Sequence, residues 1–394
     1  MNQRILQFTE TRYGGVGQYA ERLSRGLESL GQESCLIVAD EQSGSTRGGW
    51  AARLRRAVLN RVAMAPFHAV PREPLEVPSL GRESVTVCHF HGSSAWVHHG
   101  LASGLPPSRK VYWTIHDMWP LSGGCFVYDG CEGYRSGCLS CPILKSPFKG
   151  WARREWLLKR KMAEALSVTF IANSDWTADR IRKAGLFTGP VAVVPPIVEE
   201  GLLAEDPANL RPELGIDADR LVIGLASRAL TDEFKGIPEF IRALAAAEAL
   251  ARRFTVVLVG EGRIPVPDNL DVRFVGRIDG KDRLRAFYHT LDAFVSPSRM
   301  ETFGMTLAEA QAAGRPVVAF DVGGVRDAVH PDLGWLVPAG DFDEMLCLLG
   351  NIDLHPGDHT DRTAILREWV RGRFSQSVVA ARQLEIYNNH GQHQ

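Results

Sequence analysis

The chain has 394 residues, of which 45% are hydrophobic and 23% are charged, and its net charge is −1. This length exceeds one ordinary hydrophobic core and suits two domains of about 150 to 200 residues each. The composition excludes a disordered chain and a repeat solenoid, and no window approaches the roughly 18 uninterrupted apolar residues of a membrane-spanning helix.

The first half of the chain has the pattern of an α/β domain. It opens with a predicted strand Ile5–Phe8, a glycine-rich loop Tyr13–Gly17, a helix over about 18–30 and a strand Cys35–Ala39. The N-terminus is therefore expected to be a first strand and not a secretory signal, which predicts a cytoplasmic protein. Further apolar runs continue the alternation typical of a parallel sheet covered on both faces: Val85–Phe90, Val111–Ile115, Val168–Ala172 and Val191–Val194.

A proline-containing segment at 195–201 marks a predicted hinge between two domains, because proline cannot continue a strand ladder. The first domain then covers 1–196, the second covers 197–373, and 374–394 forms a tail helix, capped by Ser375, that we expect to pack back on the first domain. Two doubly wound α/β domains with a ligand cleft between them are the expected fold. The second domain is predicted from strands at Leu221–Ala226, Phe254–Val259, Val272–Val275, Ala293–Ser296 and Pro316–Phe320, with helices at Ile237–Leu250 and Thr306–Ala313.

Charge is divided unevenly between the halves. Residues 1–196 hold 24 Lys and Arg against 16 Asp and Glu, whereas residues 197–394 hold 21 against 30. Two basic amphipathic stretches, Arg47–Val62 and Lys149–Met162, lie in the first half. They could rest on an anionic membrane surface as peripheral contacts, or they could be surface helices packed on their own domain. No nucleic acid partner is expected.

The most informative motif runs from Ser296 to Val318, where a strand end, a glycine turn, a helix and a Gly-Pro turn follow one another. Glu301 and Glu309 lie at the two ends of the strand-to-helix turn, and carboxylates in such places are suited to the hydroxyl groups of a polyol. The backbone N–H groups of Phe303, Gly304 and Met305 are expected to face an anion at the helix N-terminus. This element could therefore address a sugar and a phosphate together.

This motif, E-x7-E with Phe-Gly after the first Glu and A-x-A-x-G-x-P-V-V after the second, resembles glycosyltransferase family 4. The resemblance implies a GT-B fold and a hexosyltransferase that retains the anomeric configuration, the leaving phosphate helping to take the acceptor's proton. It also implies that Glu301 binds the hydroxyls of the transferred sugar and that Glu309 binds the ribose of the nucleotide. Backbone atoms near Arg277 and Ile278 would read the base, which leaves UDP and GDP both open.

Two cations are placed on the donor diphosphate by the same resemblance, Arg228 and Lys235. Fixed cations make chemical sense there, because a departing nucleotide diphosphate accumulates negative charge. No convincing Asp-x-Asp metal clamp follows a strand, since 217–219 precedes one and 341–343 has the pattern of a helix cap. The resemblance therefore implies catalysis without a divalent metal, with Arg228 and Lys235 neutralising the leaving group.

In the first domain, Gly14 and Gly15 resemble the family's loop, which lets the backbone approach the donor phosphate and the acceptor. His116, beside Asp117 at a predicted strand end, matches a family histidine close to the reacting centre of the sugar. Its expected task is to orient or polarise the transferred sugar. His91 ends a neighbouring strand and is a weaker candidate for an acceptor contact.

Four of the seven cysteines lie in one loop, 117–147: Cys125, Cys131, Cys138 and Cys141. Clustered cysteines in a cytoplasmic chain favour a metal over disulfides, and the C-x2-C pair suits a thiolate knuckle, so a closed tetrahedral zinc site with a structural role is expected. Free thiols or disulfides are the alternatives. The loop resembles a subgroup of family 4 enzymes of exopolysaccharide and lipopolysaccharide assembly. It is expected to shape the acceptor side, and with the basic first half it favours a glycan acceptor linked to a lipid.

Two other classes of protein remain as alternatives. Residues Gly15–Ala20 match G-x-G-x-x-A, and Asp40 ends the next strand, as in an NAD-dependent oxidoreductase of the Rossmann type. However, the loop before Gly15 is long for that fingerprint, and the Glu301–Glu309 motif would be unexplained. A transferase-like scaffold without turnover is the third interpretation, which the set Glu301, Glu309, Lys235 and His116 disfavours.

Overall fold

The computed structural model describes residues 4–42, 61, 63, 85–92, 105, 109–126, 130–185, 189–203, 208–352 and 359–389. The chain forms two compact units. The first runs to Ile197 and includes the chain from Val379 onward, and the second runs from Val198 to Val378. The division between the units therefore lies within the segment 195–201.

The first unit is built on a six-stranded sheet in which every pair is parallel and whose order is β2-β1-β3-β4-β5-β6. Parallel strands require crossover connections, and helices supply them. The strands are β1 Arg4–Thr9, β2 Glu33–Val38, β3 Val85–His91, β4 Lys110–Ile115, β5 Thr169–Ala172 and β6 Val191–Val193. The helices before the hinge are α1 Gly14–Ser29, α2 Ala39–Gln42, α3 Gly150–Leu166 and α4 Asp175–Lys183, with a 3-10 turn at Gly133–Ser136.

The second unit repeats the plan with a parallel sheet of order β12-β11-β10-β7-β8-β9. Its strands are β7 Leu221–Ala229, β8 Phe254–Glu261, β9 Asp271–Gly276, β10 Ala293–Ser296, β11 Val317–Phe320 and β12 Gly334–Val337. Its helices are α5 Arg211–Leu214, α6 Ile237–Ala246, α7 Glu248–Arg253, α8 Lys281–Thr290, α9 Met305–Ala312, α10 Val325–Ala328, α11 Phe342–Asn351 and α12 His359–Phe374, with 3-10 turns at Glu200–Leu203 and Glu233–Lys235.

Apolar side chains cover both faces of the second sheet. Val222 and Val257 belong to one buried cluster, whereas their chain neighbours Ile223 and Val256 belong to another. This alternation follows from the period of two along a strand, and each fully buried side chain of this size contributes about 1.5–3 kcal/mol. The two-sided burial expected of a doubly wound sheet is confirmed.

The last helix of the described chain, α13 Gln376–Asn389, packs on the first unit. Its Tyr387 is fully buried, and its ring packs at a tilt against that of Tyr112 of β4, with 4.8 Å between ring centroids. Lys110 Nζ donates to the Tyr387 carbonyl at 2.9 Å. The C-terminal helix is therefore part of the first unit's core.

Two predicted helices differ from the structure, and one strand was not predicted. Helix α1 begins at Gly14 and not at residue 18, so the glycine-rich segment is its first turn. The stretch predicted as one helix, 237–250, divides at Ala247, whose backbone leaves helical geometry. β12 was not predicted, because it is a short, half-buried edge strand. Asp341 caps α11 through the N–H of Glu344, which confirms the predicted helix cap.

No helix of the described residues is long and apolar enough to cross a membrane. The basic stretch Arg47–Val62 lies outside the described residues except for Arg61.

Candidate functional site

The strand order of the second unit reverses between β7 and β10, because the chain proceeds to β8 and β9 on one side and to β11 and β12 on the other. Ligands bind outside the carboxyl ends of strands at such a switch point. Lys235 follows β7 and Glu301 follows β10, and Lys235 Nζ lies 2.6 Å from Glu301 Oε1. The structure thus joins two predicted donor-binding residues in one ion pair at the expected edge.

The surroundings of the Lys235–Glu301 pair favour the charged form of Lys235. Burial by itself lowers the pKa of Lys235, but the charge and hydrogen bond of Glu301, with the charge of Asp232, together outweigh burial, so the pKa of Lys235 is raised. The side chains are 30% and 17% exposed, so water screens the pair less than it screens a pair on the open surface. Lys235 is therefore a fixed cation at physiological pH.

Close backbone contacts hold the loops of this pair together. Gly236 has φ +64°, and a Cβ there would lie 2.2 Å from the Pro297 carbonyl oxygen. Gly323, after β11, has φ +58°, and a Cβ there would lie 1.8 Å from the Glu301 carbonyl oxygen. Gly324 N–H donates to that same oxygen at 2.9 Å. Loops after three neighbouring strands therefore fix Glu301, and glycine is needed for their approach.

The helix α9 starts directly after Glu301. Gly304 has φ +97°, and Met305 is the first helical residue. The first turn of any helix leaves backbone N–H groups without intrahelical acceptors, so an anion could bind here. The Phe303 side chain is 2% exposed and packs edge-on against Phe374, which leaves only its backbone for a ligand.

Glu309 lies one turn into α9 and accepts a hydrogen bond from the Tyr288 hydroxyl at 2.8 Å. Burial, with the nearby charge of Glu309, raises the pKa of Tyr288 well above its ordinary value, so this residue donates and does not ionise. The bond orients the carboxylate that we predict to bind ribose. Tyr288 was not predicted as a site residue, because it fits the apolar stripe of α8 and the sequence gives no sign that its hydroxyl contacts Glu309.

The other predicted donor residues lie apart from the ion pair. Arg228 is exposed at the end of β7, and its side chain forms no hydrogen bond or ion pair among the residues that the structure describes. Arg277 bridges Glu261 at 3.0 Å and Asp279 at 2.8 Å, and their hydrogen bonds raise its pKa. Ile278 packs against the second unit's core. The roles of Arg228, Arg277 and Ile278 stay predictions.

In the first unit, Gly14 and Gly15 form the start of α1. Gly14 has φ +81°, and a Cβ on either residue would meet nothing within 4 Å. Gly17 is the position where a side chain collides, because its Cβ would lie 2.1 Å from the Thr11 carbonyl oxygen. The open first turn at Gly14 and Gly15 therefore leaves room for a ligand, whereas Gly17 is needed for packing.

His116 and Asp117 follow β4, as predicted. His116 is half-buried with its ring edge-on to Tyr19 at 5.0 Å, and burial lowers its pKa to about 3, so the imidazole is neutral. Asp117 accepts the N–H of Trp119 at 2.8 Å. Burial raises the Asp117 pKa to about 6, although that hydrogen bond and Lys159 act in the opposite direction.

Behind His116 lies a chain of hydrogen bonds that the sequence did not predict. His91 Nε2 lies 2.6 Å from Gln7 Oε1, and His89 lies 2.6 Å from the Tyr387 hydroxyl through Nδ1. His89 Nε2 is 2.7 Å from Thr114 Oγ1. The ring of His91 lies 5.8 Å from that of His116. In the sequence, only the two histidines form a recognisable pattern, because they lie at alternate positions of one strand. Gln7 and Tyr387 are 380 residues apart, so no local pattern links them.

A cavity of about 220 Å³ opens at the carboxyl ends of β1, β3 and β4 in the first unit. It is bounded by the first turn of α1 and by the segment after β4. Its lining includes Gly14, Gly15, His91, Asp117 and Trp119. The glycines and His91 that the sequence singled out thus share one cavity wall.

The cysteine loop packs on α3. Gly123 lies so close that a Cβ would be 2.5 Å from the Ala152 carbonyl oxygen, and its N–H donates to Cys138 Sγ at 3.1 Å. Lys159 is fully buried, donates to the Trp119 carbonyl at 2.5 Å and lies over the Trp119 ring at 3.9 Å. This face of α3 therefore supports the loop, which agrees with a helix packed on its own domain.

No disulfide joins the cysteines of this loop in the described part of the chain. Among the described residues, no group of three or more His, Cys, Asp or Glu side chains is arranged to hold a metal ion. Burial raises the pKa of Cys138 to about 12, as it does in direction for Cys125 and Cys141. The zinc prediction therefore depends on cysteine spacing alone.

Two protein-family models match this chain, one over most of each unit. Residues 13–201 match the family model described as Glycosyltransferase Family 4, and residues 220–349 match the one described as Glycosyl transferases group 1. The D-inositol 3-phosphate glycosyltransferase of Frankia alni is 35% identical over 83% of this chain and 82% of its own length. The putative colanic acid biosynthesis glycosyl transferase WcaC of Escherichia coli is 26% identical over 58% of this chain and 56% of its own length.

The chain spans about half the length of several curated relatives that it matches, WcaC among them. Among solved structures, Anabaena Alr3699/HepE in complex with UDP-glucose has a TM-score of 0.65 at 17% identity, covering 98% of this chain and all of that one. This likeness concerns the fold, which is GT-B with two Rossmann-like units. From the family matches and the relative covered over 82% of its length, the chain belongs to glycosyltransferase family 4.

Proposed function

We propose that this protein transfers a sugar from a nucleotide diphosphate sugar to a glycan acceptor with retention of the anomeric configuration. The observation that carries the proposal is the ion pair of Lys235 and Glu301 at the switch point of the second unit. A cation and a carboxylate side by side suit a ligand with a phosphate next to a polyol. Family membership favours this activity over the NAD-dependent alternative.

In this proposal, Lys235 binds the diphosphate of the donor and Glu301 binds its sugar. An ammonium group has three donors, and Glu301 uses one, so the others can bind diphosphate oxygens. Glu301 would accept hydrogen bonds from hydroxyl groups of the transferred sugar. As the bond to the sugar breaks, charge on the leaving diphosphate increases, and a preorganised cation stabilises that transition state.

The remaining donor contacts are proposed from the same geometry. The N–H groups of Phe303, Gly304 and Met305 would bind a phosphate, and Glu309, oriented by Tyr288, would bind the ribose. Arg228 would add a second cation at the end of β7. With these cations in place, we propose that turnover needs no divalent metal, which activity in the presence of EDTA would test.

The donor base is proposed as uracil or guanine. The HepE structure contains UDP-glucose, and that ligand is a fact about HepE. The segment that includes Arg277 and Ile278 follows β9, the edge strand beside β8, and is the proposed base-reading segment.

The acceptor is proposed as a lipid-linked glycan of cell-surface polysaccharide assembly. WcaC is named for colanic acid biosynthesis, and the first half of this chain is basic. Near the cysteine loop, Lys145, Lys149, Arg154 and Lys161 are exposed and could contact anionic lipid headgroups. Flotation of the full chain with phosphatidylglycerol liposomes tests this contact, and a variant with glutamate at Lys149, Arg154 and Lys161 should stay unbound.

The proposed activity can be tested with a panel of UDP-sugars and GDP-sugars. Release of free nucleotide should occur with one donor class, and proton NMR of the transferred sugar should show the donor's anomeric configuration. Glu301→Gln should slow nucleotide release from that donor by about a hundredfold. A folded protein that binds donor nucleotides without releasing a product would instead indicate a scaffold.

A further inference from the structure

The neutral imidazole of His91 has one nitrogen whose role the structure leaves open. His91 is fully buried, and burial, with His89 and His116 nearby, lowers its pKa well below the ordinary value. Its Nε2 is paired with Gln7 Oε1 at 2.6 Å. Its Nδ1 is buried and has no hydrogen-bond partner among the described residues.

The hydrogen-bond chain behind His91 determines which nitrogen carries the proton. An amide oxygen can only accept, so His91 Nε2 must donate to Gln7 Oε1. The Gln7 amide nitrogen then donates to the Tyr387 hydroxyl at 3.4 Å, and that hydroxyl can donate to His89 Nδ1. A neutral imidazole carries one proton, so Nδ1 of His91 is a bare acceptor.

His91 also forms part of the wall of the 220 Å³ cavity in the first unit. A buried acceptor left unpaired costs free energy, whereas a donor that enters the cavity removes that cost. Because His91 is fully buried, a donor that reaches its Nδ1 must approach from the cavity that this residue lines. The geometry points to a ligand that brings a hydrogen-bond donor.

The rest of the lining narrows the chemistry of that ligand. Asp117 and Glu10 contribute carboxylates, which accept hydrogen bonds and repel an anion, and Trp119 contributes an aromatic wall. Several acceptors beside an aromatic surface suit a neutral molecule with many hydroxyl groups. We infer that His91 Nδ1 accepts a hydrogen bond from a hydroxyl group of a sugar bound in this cavity.

This inference rests on the proposed function for its ligand, and a spectroscopic test separates the two. The test uses the full chain with ¹⁵N-labelled histidine, and the resonances of His91 are assigned with His91→Phe. In the free protein, the proton should be on Nε2 and Nδ1 should have the shift of an unprotonated nitrogen. Methyl glycosides of glucose, galactose and mannose are added singly, and at least one should shift Nδ1 upfield.

Two further arms identify the source of the hydroxyl. UDP-glucose and GDP-mannose are each added without a glycoside, and a shift with these alone would assign the hydroxyl to the donor sugar. Both nitrogens of His89 are already hydrogen-bonded, so its resonances should not move and serve as an internal control. These arms need no turnover, so they remain informative if nucleotide release fails.

A kinetic measurement complements the spectroscopy. His91→Phe should raise the KM for the sugar that shifts Nδ1 by about tenfold, the usual effect of one lost hydrogen bond. His289→Phe, the same exchange at a buried histidine of the second unit, should leave this KM unchanged. A proton found on Nδ1, or an Nδ1 resonance that no glycoside and no nucleotide sugar moves, overturns the inference.

Discussion

Lys235 Nζ and Glu301 Oε1 lie 2.6 Å apart although 66 residues separate them in the chain. Each follows one of the two strands at which the sheet order reverses, and glycines at 236 and 323 permit the close approach of their loops. The ion pair thus lies beyond the carboxyl ends of the neighbouring strands β7 and β10. The proposed chemistry begins from this relationship.

Glu301→Gln should reduce the rate of sugar transfer by about a hundredfold, because a preorganised charged group is replaced by a neutral amide. The pKa of Lys235, which Glu301 raises, should also decrease. Steady-state nucleotide release measures the first effect. Glu239→Gln is the matched control, since Glu239 pairs with Arg299 at 3.6 Å beside the same loops. Equal losses in both variants would argue against a specific role of Glu301.

Tyr288→Phe should weaken donor binding while the fold is retained. The change removes the hydroxyl that donates to Glu309 at 2.8 Å, and a hydrogen bond to a charged group contributes about 1.5–3 kcal/mol. We expect the donor KM to rise about tenfold or more. Tyr112→Phe serves as the control, because its hydroxyl lies in the first unit, 3.5 Å from the Ile386 carbonyl oxygen. An unchanged donor KM in Tyr288→Phe would remove Glu309 from the donor site.

Asp117 should make stability depend on pH in the acid range. Its folded-state pKa of about 6 exceeds the ordinary value of 3.8, so the folded protein holds this proton more tightly than the unfolded chain. The stabilisation is complete below pH 3.8 and is lost as the pH rises through 6. Asp117→Asn should therefore be more stable than the native protein at pH 8, by up to about 3 kcal/mol, and equally stable near pH 3.5.

Urea unfolding at these pH values measures the difference between the two proteins. Asp179→Asn, at a partly exposed helix residue that pairs with Lys183, should show no comparable gain at pH 8. A stability advantage of Asp117→Asn that does not change with pH would show that burial does not raise this pKa.

The cysteine loop should bind one zinc ion per chain if the spacing has been interpreted correctly. Metal analysis of protein purified without chelators measures the ion, and Cys138→Ser with Cys141→Ser should abolish it and lower the melting temperature. Cys35→Ser and Cys347→Ser, at exposed cysteines outside the loop, should leave both unchanged. Four reactive thiols in a metal-free native protein would contradict the prediction.

The sequence predicted most of the architecture, because apolar runs separated by helical patterns can be recognised without knowing their partners. Glu301 and Lys235 could be placed at strand ends for the same reason. Their direct contact could not be predicted, since it depends on β7 and β10 being neighbours in the sheet. Strand order arises from long-range packing, which local patterns do not encode.

Partners of the site residues were harder to predict than the residues themselves. Tyr288 and Gln7 lie in apolar patterns, and their polar atoms become important only when Glu309 and His91 come near in space. Tyr387 reaches His89 because the last helix folds onto the first unit. Such contacts join the ends of the chain and leave no periodic signal.

The central claim is that Lys235 and Glu301 form a site for a nucleotide diphosphate sugar. Isothermal titration of the full chain with UDP and with GDP tests it most directly. We expect one nucleotide to bind, Lys235→Ala to weaken that binding at least tenfold, and Lys281→Ala, which breaks a Lys–Glu pair of 3.0 Å elsewhere in the unit, to have no effect. Binding of neither nucleotide, or equal affinity in Lys235→Ala and the native protein, would contradict the account.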